Sequence, residues 1–421
     1  MTLRTTVFTG ATIIDGTGRD PISDGAIRID GSGIQQVGPQ ISSRGSDIVD
    51  VTGLTVLPGL IDAHVHLGWS SNMQAVLHGE LSAAERAADI FNNLEQTLLA
   101  GFTTVRDTGG LDLGVIRAVE RGLVPGPRIW ACGAGLCQCG GHGHLHSPLQ
   151  SADDPYRHDI RGLTAMGRYC DGPDQVRHAC REVFRRGGSF LKLSVTGGVI
   201  SFTDALGDTQ FAQEEIAVAV AEAKARNTYV TVHAHNAVGA RNAILAGVGG
   251  IEHGTGIDEE TAALMADHHV HLVPTLAIAR MMLENFDEHG LPPEIKARVG
   301  DTEKGMREAL LAARAAGVLV GSGSDLVGPV QNRRGLELVL KAEVIGAMAA
   351  IESATAINAR IIGVADRLGT LEPGKYADLI AVDFDPLSTP ELFDDPSRVV
   401  LVVKGGRIIK DTRETKQETP A

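Results

Sequence analysis

The side chains in this sequence that are able to do chemistry gather at the ends of short apolar runs. His64 and His66 close LIDAHVH, residues 60–66. Residues two apart on a strand face the same side, so both imidazoles can grip one ion through a neutral ring nitrogen. Lys192 stands in SFLKLSV (189–195), His233 and His235 end TYVTVHAH (228–235), His253 ends GIEHG (250–254) and Asp325 ends VLVGSGSD (318–325). His64, His66, His233 and His253 with Asp325 exceed what one catalytic zinc needs, which is three protein ligands and a water. Two divalent ions about 3.5–4 Å apart would use them all.

Two dications that close need an anion between them. No Asp or Glu ends the 189–195 run; Lys192, flanked by Leu191 and Leu193, stands there instead. Lysine is rarely buried without a partner, and a cationic lysine would repel both ions. Burial beside dications depresses the amine pKa, and a neutral amine can add carbon dioxide to give a carbamate with two oxygen ligands. A Schiff-base role is the competing use of a strand-borne lysine, but it leaves the four histidines unexplained.

These residues need a frame that brings strand ends together. Eight β-type runs alternate with helical patterns: 60–66, 102–107, 128–132, 189–195, 228–235, 250–254, 270–276 and 318–325. Ser82 and Glu85 form a capping-box pattern ahead of a helix that stops at Gly101. The 174–186 segment opens on Asp174 and closes on Arg185 and Arg186, charges that suit the helix dipole. A further helix over 304–317 ends at Gly317. The fold class expected is α/β, a (β/α)8 TIM barrel over 58–365 with its site where strands end and loops begin. Residues 1–57 are strand-like, with Asp15-Gly16, Asp24-Gly25 and Asp30-Gly31 as turn punctuation. Residues 366–421 have the same character, so 1–57 and 366–421 are expected to build one small composite β-sandwich domain.

Bulk properties remove other classes. At 421 residues the chain exceeds a usual single core. A net charge of −14 offers no basic face for nucleic acid. No signal-peptide core and no spanning run is present, so no membrane association is expected. The five cysteines form no disulfide framework, and Cys137 with Cys139 lacks the second pair of a zinc site. The expectation is a cytoplasmic enzyme.

Taken together, GLIDAHVH, FLKLSVTGGV, VTVHAHN with GIEHG, and VGSGSD resemble the amidohydrolase superfamily. Within it, RYCDGPDQVRHACREVFRRGGSFLKLSVTGGVIS is similar to the dipeptidase and carboxypeptidase-like branch that includes prolidase-like and ochratoxin-hydrolysing members. The resemblance implies two divalent ions, Zn2+ first, on an N-carboxylated Lys192. It implies His64, His66 and Asp325 on one ion, and His233 and His253 on the other, with Lys192 as the bridge. His235 has the same parity as His233, so either reaches the metal; His233 is taken as ligand and His235 as a substrate-side contact. In the loop CGGHGHLHS the branch places a Gly-Gly-His-Gly element toward substrate, which marks His142 over His144 and His146.

The implied activity is hydrolysis of an amide or peptide bond next to a free carboxylate, in a dipeptide, N-acyl amino acid or ochratoxin-like aromatic amide. A water shared by two dications ionises near neutral pH and attacks the carbonyl. Asp325 relays its proton to the leaving nitrogen, and His142 or His235 assists the oxyanion. Arg280, Arg333 and Arg334 are candidates to meet the substrate carboxylate. The rival readings are a mononuclear cyclic-amide hydrolase or deaminase of imidazolonepropionase-like type, and a catalytically silent relative. The expected partners are the small-molecule substrate and further copies of the chain in a homo-oligomer.

Overall fold

The structure is a computed structural model, and it describes residues 5–69, 75, 80–144, 167–199, 203–285, 293–328 and 331–413. The chain begins with strands β1 (Thr6–Ile13), β2 (Ile22–Asp30), β3 (Gly33–Gly38), β4 (Asp47–Asp50) and β5 (Thr55–Pro58). The parallel strands follow: β6 (Leu60–Val65), β7 (Phe102–Asp107), β8 (Arg128–Ala131), β9 (Gly135–Cys137), β10 (Gly167–Tyr169), β11 (Leu191–Ser194), β12 (Val230–Ala234), β13 (Gly250–His253) and β14 (His271–Val273). The last are β15 (Leu379–Val382), β16 (Val399–Lys404) and β17 (Arg407–Asp411).

Both ends of the chain share one eight-stranded sheet, ordered β17-β16-β15-β5-β1-β2-β3 with β4 beside β1. The seam is β5 against β15, antiparallel, with Leu57 opposite Ile380. One apolar cluster of the sheet joins Phe8, Ile27, Ile29, Leu379 and Leu401. The next joins Leu57, Ile380 and Val402 to Leu98 and Phe102, which ties the sheet to the parallel strands. Asp30-Gly31 is a hairpin turn between β2 and β3, with Gly31 at φ 58°. Asp24-Gly25 departs from the expectation: it lies inside β2, Asp24 takes φ 47°, and the pairing with β1 slips at Ala11. A left-handed residue inside a strand makes a bulge, not a reversal.

The parallel strands lie in two groups, β6-β7-β8 and β10-β9-β11-β12-β13-β14. Their interior is aliphatic, with Leu191, Leu193, Val230, Val232, Ile251 and Leu272 buried against flanking helices. Backbone bonds extend β8 toward β11 on one side and join β6 to the 318–325 stretch on the other. Ser189 N donates to Ala131 O at 2.8 Å, and Ala63 N donates to Ser322 O at 2.9 Å. The short pair β9 and β10 was not anticipated from the pattern.

The eighth expected strand, 318–325, lies between β14 and β6 and bonds to both, but it forms no regular ladder, only a bridge from Val320 to Leu272. The reason is local. Gly321 to Ser324 holds no β-branched residue, and the Asn358 side chain takes the ladder positions. Asn358 Nδ2 donates to Ile61 O at 2.6 Å and to Ser322 O at 2.8 Å, while Ser322 N donates to Asn358 Oδ1 at 3.0 Å.

The helix signals correspond to real ends. Ser82 and Glu85 cap Ala83–Leu99 reciprocally, and Gly101 takes φ 94° after it. Gly172–Arg186 ends on Gly187 at φ 107°, although its N-cap is Asp171 and not Asp174. The helix expected over 304–317 is the second half of Pro293–Ala315.

Candidate metal centre

The strand-end residues named from the sequence converge. His64 is near the end of β6 and His66 follows it; Lys192 is on β11, His233 on β12 and His253 ends β13. The ring centroids of His64 and His253 lie 4.9 Å apart, His233 and His253 4.6 Å, and His64 and His66 5.2 Å. Asp325 Oδ1 lies 3.2 Å from His66 Nε2 and 3.5 Å from His64 Nε2, and its Oδ2 lies 3.8 Å from His253 Nδ1. Two groups have ligand atoms all within 4.8 Å of one another: His64, His253 and Asp325, and His233, His235 and His253. His235 therefore sits as close to the second group as His233 does. Its Nδ1 is 2.8 Å from Thr255 Oγ1, and its ring stacks on His253 at 5.0 Å.

Two of these residues adopt backbone that only local necessity sustains. His253 has φ 66° and Asp325 φ 55°, left-handed values uncommon outside glycine. Successive strand residues normally face opposite sides. The turn at His253 breaks that alternation, so Glu252 and His253 both meet His64. Glu252 Oε2 lies 2.7 Å from His64 Nδ1. On the far side Gly323 approaches so closely that a Cβ there would lie 2.4 Å from the His64 Cβ.

The electrostatics favour ligand forms. Burial pushes His64, His233 and His253 below the ordinary imidazole value and His235 to about 3, so these rings are neutral. His66 is the exception: burial lowers it, but the Asp325 carboxylate raises it more. Burial raises Asp325 in turn, and His64 and His66 outweigh it, leaving the carboxyl below its usual range. Proton positions on the rings are set from behind. His66 Nδ1 donates to Gly109 O at 2.8 Å, and Glu252 holds His64 Nδ1, so each presents Nε2 toward Asp325.

Lys192 is 6 % exposed, between Leu191 and Leu193 that are fully buried. Burial lowers its amine to about 8, with Glu252 opposing the shift and Arg106 adding to it. The Lys192 charge acts on His64, His233, His253 and Asp325. Among the described residues its amine has no hydrogen-bond partner.

His142 stacks on His233, centroids 4.0 Å apart and rings 15° from parallel, and burial lowers its pKa to about 4. Its backbone N donates to Gln210 Oε1 at 3.1 Å. His144 stacks on Tyr169 instead, and His146 lies outside the described residues. The three arginines considered for a substrate carboxylate are all engaged. Arg280 pairs with Glu303 at 2.8 Å, Arg333 pairs with Asp394 and Glu284, and Arg334 is fully buried against Asp62. Cys137 is buried and Cys139 exposed, and neither joins a metal-type group among the described residues.

Sequence reasoning missed Glu252 and Arg106. Arg106 is fully buried; it donates to Glu252 Oε1 at 2.6 Å, to Ala63 O at 2.6 Å and to Tyr229 Oη at 3.2 Å. Thr231 Oγ1 also donates to Glu252. The available signal was a long charged side chain inside each of two wholly buried strand runs, Arg106 in FTTVRD and Glu252 in GIEHG. Asp62 was missed as well, although it shares the parity of His64 and His66.

Parallel strands alternating with helices, with imidazoles and a carboxylate gathered at the strand ends, fit an α/β fold of TIM-barrel type. The chain belongs to the amidohydrolase family, whose model matches residues 55–409. Ochratoxinase of Aspergillus niger is 31% identical over 363 residues, 84% of this chain and 75% of that protein. Among solved structures, a prolidase complexed with N-methylphosphonate-L-proline is similar with a TM-score of 0.89 and 36% identity, covering 97% of this chain and 100% of the other. A Xaa-Pro dipeptidase with methionine in its active site has a TM-score of 0.84 and 32% identity, over 96% and 100%. The chain thus lies in the dipeptidase and ochratoxinase-like branch of the family. No helix among the described residues is long and apolar enough to cross a membrane.

Proposed function

We propose that this chain is a binuclear metal-dependent amidohydrolase that cleaves an amide or peptide bond beside a free carboxylate. The observation that carries the reading is the convergence of His64, His66 and His253 on Asp325, with His233 beside them, around a buried lysine amine that has no hydrogen-bond partner among the described residues. The donor set fits divalent metal: borderline nitrogen ligands, a carboxylate and proton positions fixed from outside. His64, His66 and Asp325 would hold one ion, His233 and His253 the other, and Lys192, N-carboxylated, would bridge them. Zn2+ is the metal we assign. Such ions supply Lewis acidity at the scissile carbonyl and acidify a nearby water.

The chain's own residues do the rest. Asp325 is ionised and accepts the proton of the attacking water at a carboxylate oxygen; it then delivers that proton to the departing amide nitrogen. His142, packed on His233, and His235, held by Thr255, face the developing oxyanion. The substrate class follows the relatives named above: dipeptides, N-acyl amino acids or ochratoxin-like aromatic amides.

The architecture we infer is a closed (β/α)8 barrel over 58–365. Its support is the pair of backbone links at Ser189 and Ala63 and the Val320 bridge. Residues 1–57 and 366–421 are taken as one composite β-sandwich domain, supported by the shared cluster of Phe8, Ile27, Leu379 and Leu401. A reducing, cytoplasmic setting is supported by five unpaired cysteines, and a homo-oligomer is expected in solution, which light scattering checks.

The test is a hydrolysis screen with zinc-loaded protein and metal counting. Amine release from amides bearing a free carboxylate, at two ions per chain, is the expected result. Deamination or cyclic-amide opening at one ion per chain would replace this reading with the mononuclear one.

A further inference from the structure

The three arginines placed near strand ends by the sequence are not alike, and the one that never reaches solvent has the most specific surroundings. Arg334 is fully buried just ahead of the helix Leu336–Ile345. Its Nη1 donates to Ser324 Oγ at 2.9 Å and to Asp62 Oδ2 at 3.3 Å; its Nη2 donates to Gln331 Oε1 at 3.1 Å and its Nε to Thr97 Oγ1 at 3.2 Å. Asp62 is itself buried and saturated. Its Oδ1 accepts from His64 N at 3.1 Å and Ser324 N at 3.0 Å, and its Oδ2 accepts from Ser324 Oγ at 2.5 Å. Asp325 N then donates to His64 O at 2.9 Å.

We propose that Arg334, acting through Asp62 and Ser324, is a positioning residue that sets the spacing between His64 and Asp325. Both Asp62 oxygens are taken up by donors, and a buried carboxylate needs a countercharge. Arg334 supplies that charge in a fork with fixed geometry. The backbone N–H groups of His64 and Ser324 hang from the same Asp62 oxygen, Oδ1, while Oδ2 holds the Ser324 hydroxyl and Arg334. This replaces the regular β-ladder that the Gly321–Ser324 stretch does not form, and it sustains the left-handed Asp325. A lysine would keep the charge but could not serve Thr97, Gln331, Ser324 and Asp62 together. The half-buried Arg128 and the buried Asp378, 3.0 Å apart, bond none of these ligands among the described residues.

This inference rests on the metal-centre reading, and the experiment separates the two. Zinc affinity and stoichiometry are measured by chelator competition for the wild type, Arg334→Met, Arg334→Lys, Ser324→Ala and Arg128→Met, alongside apo-protein melting temperature. Arg334→Met is expected to weaken zinc binding about 10–100-fold, with Arg334→Lys recovering only part. Ser324→Ala, which deletes one hydroxyl and leaves the charges, is expected to weaken it severalfold. Arg128→Met lowers the melting temperature without changing affinity. If Ser324→Ala and a folded Arg334 variant bind zinc as tightly as wild type, Arg334 is structural only and the inference is overturned while the metal reading stands. A wild-type chain that binds no divalent ion overturns the metal reading, and this inference with it.

Discussion

Among the described residues two lysines are buried, and for different reasons. Lys192 is 6 % exposed on β11 and Lys341 is fully buried in the helix Leu336–Ile345. Burial brings both amines down to about 8. Lys341 is nevertheless answered: it donates to Gly321 O and lies 3.9 Å from Glu337, whose Oε2 accepts from Ala277 N at 2.8 Å. Lys192 has no such partner among the described residues, and what surrounds it is the set of imidazoles and Asp325. A depressed amine pKa is therefore not a mark of function. The surroundings of the amine are.

The largest effect expected from this contrast is chemical. Lys192→Ala should cost more than about 100-fold in turnover, beyond the range for residues that only support a ligand, and drop the metal content below two ions per chain. Small carboxylates such as acetate should restore part of both, since they supply the missing oxygen bridge. In protein equilibrated with 13C-bicarbonate, a carbamate resonance should appear in wild type and in Lys341→Met but vanish in Lys192→Ala. Full metal content and rate in Lys192→Ala would put the two lysines in the same category and end the comparison.

Glu252 sharpens it. This carboxylate influences Lys192 without bonding it, and it is committed to His64, Arg106 and Thr231. Glu252→Gln keeps the shape but loses the charge that fixes the His64 proton. A loss of about 10–100-fold in zinc affinity is expected, read by chelator competition. An unchanged affinity would mean that His64 needs no such fixing.

Lys341 gives the opposite signature. Lys341→Met leaves Glu337 buried without its cation, which at pH 8 and above, where the carboxyl would otherwise ionise, should cost about 3–5 kcal/mol of stability, while the metal count stays at the wild-type value. The double variant Lys341→Met with Glu337→Gln should recover most of it. Burial raises the Glu337 carboxyl to about 8, against Lys341, and losing Lys341 pushes it higher. The folded state then holds its proton where the unfolded chain has released it. Stability of the single variant should accordingly fall as pH rises from the ordinary carboxylate range to 8 and above, as urea unfolding would show.

Much of this was legible in the sequence. His64, His66, His233, His253 and Asp325 announce themselves because strand parity and run ends are sequence properties. So were the capping box at Ser82 and the stop at Gly101. What was hidden depends on departures from those regularities. Glu252 pairs with His233 and so faces inward by parity, and the positive φ of His253 brings a residue of the opposite parity to the same place. Asn358 replaces ladder bonds from a helix far along the chain, so the eighth strand looked regular and is not. Arg334 and Arg106 are answered by carboxylates distant in sequence, which composition cannot pair.

The smallest effect is kinetic and concerns Lys192 alone. Its amine must be neutral to take up carbon dioxide, and burial sets its pKa near 8 where an ordinary lysine stays charged to about 10.4. In metal-free protein at fixed dissolved carbon dioxide, carbamate formation should fall about tenfold per pH unit below 8 and level off above it. The same shift has a stability consequence of fixed sign. Between about 8 and the ordinary lysine value the unfolded chain binds the proton and the folded one does not, so apo-protein stability should rise with pH across that window. Lys192→Met removes its share of that rise, and Lys341→Met removes the share of Lys341, whose amine burial also brings to about 8. A carbamate rate that ignores pH between 6 and 8 would show that the amine is already neutral, and that something other than burial beside histidines has set it so.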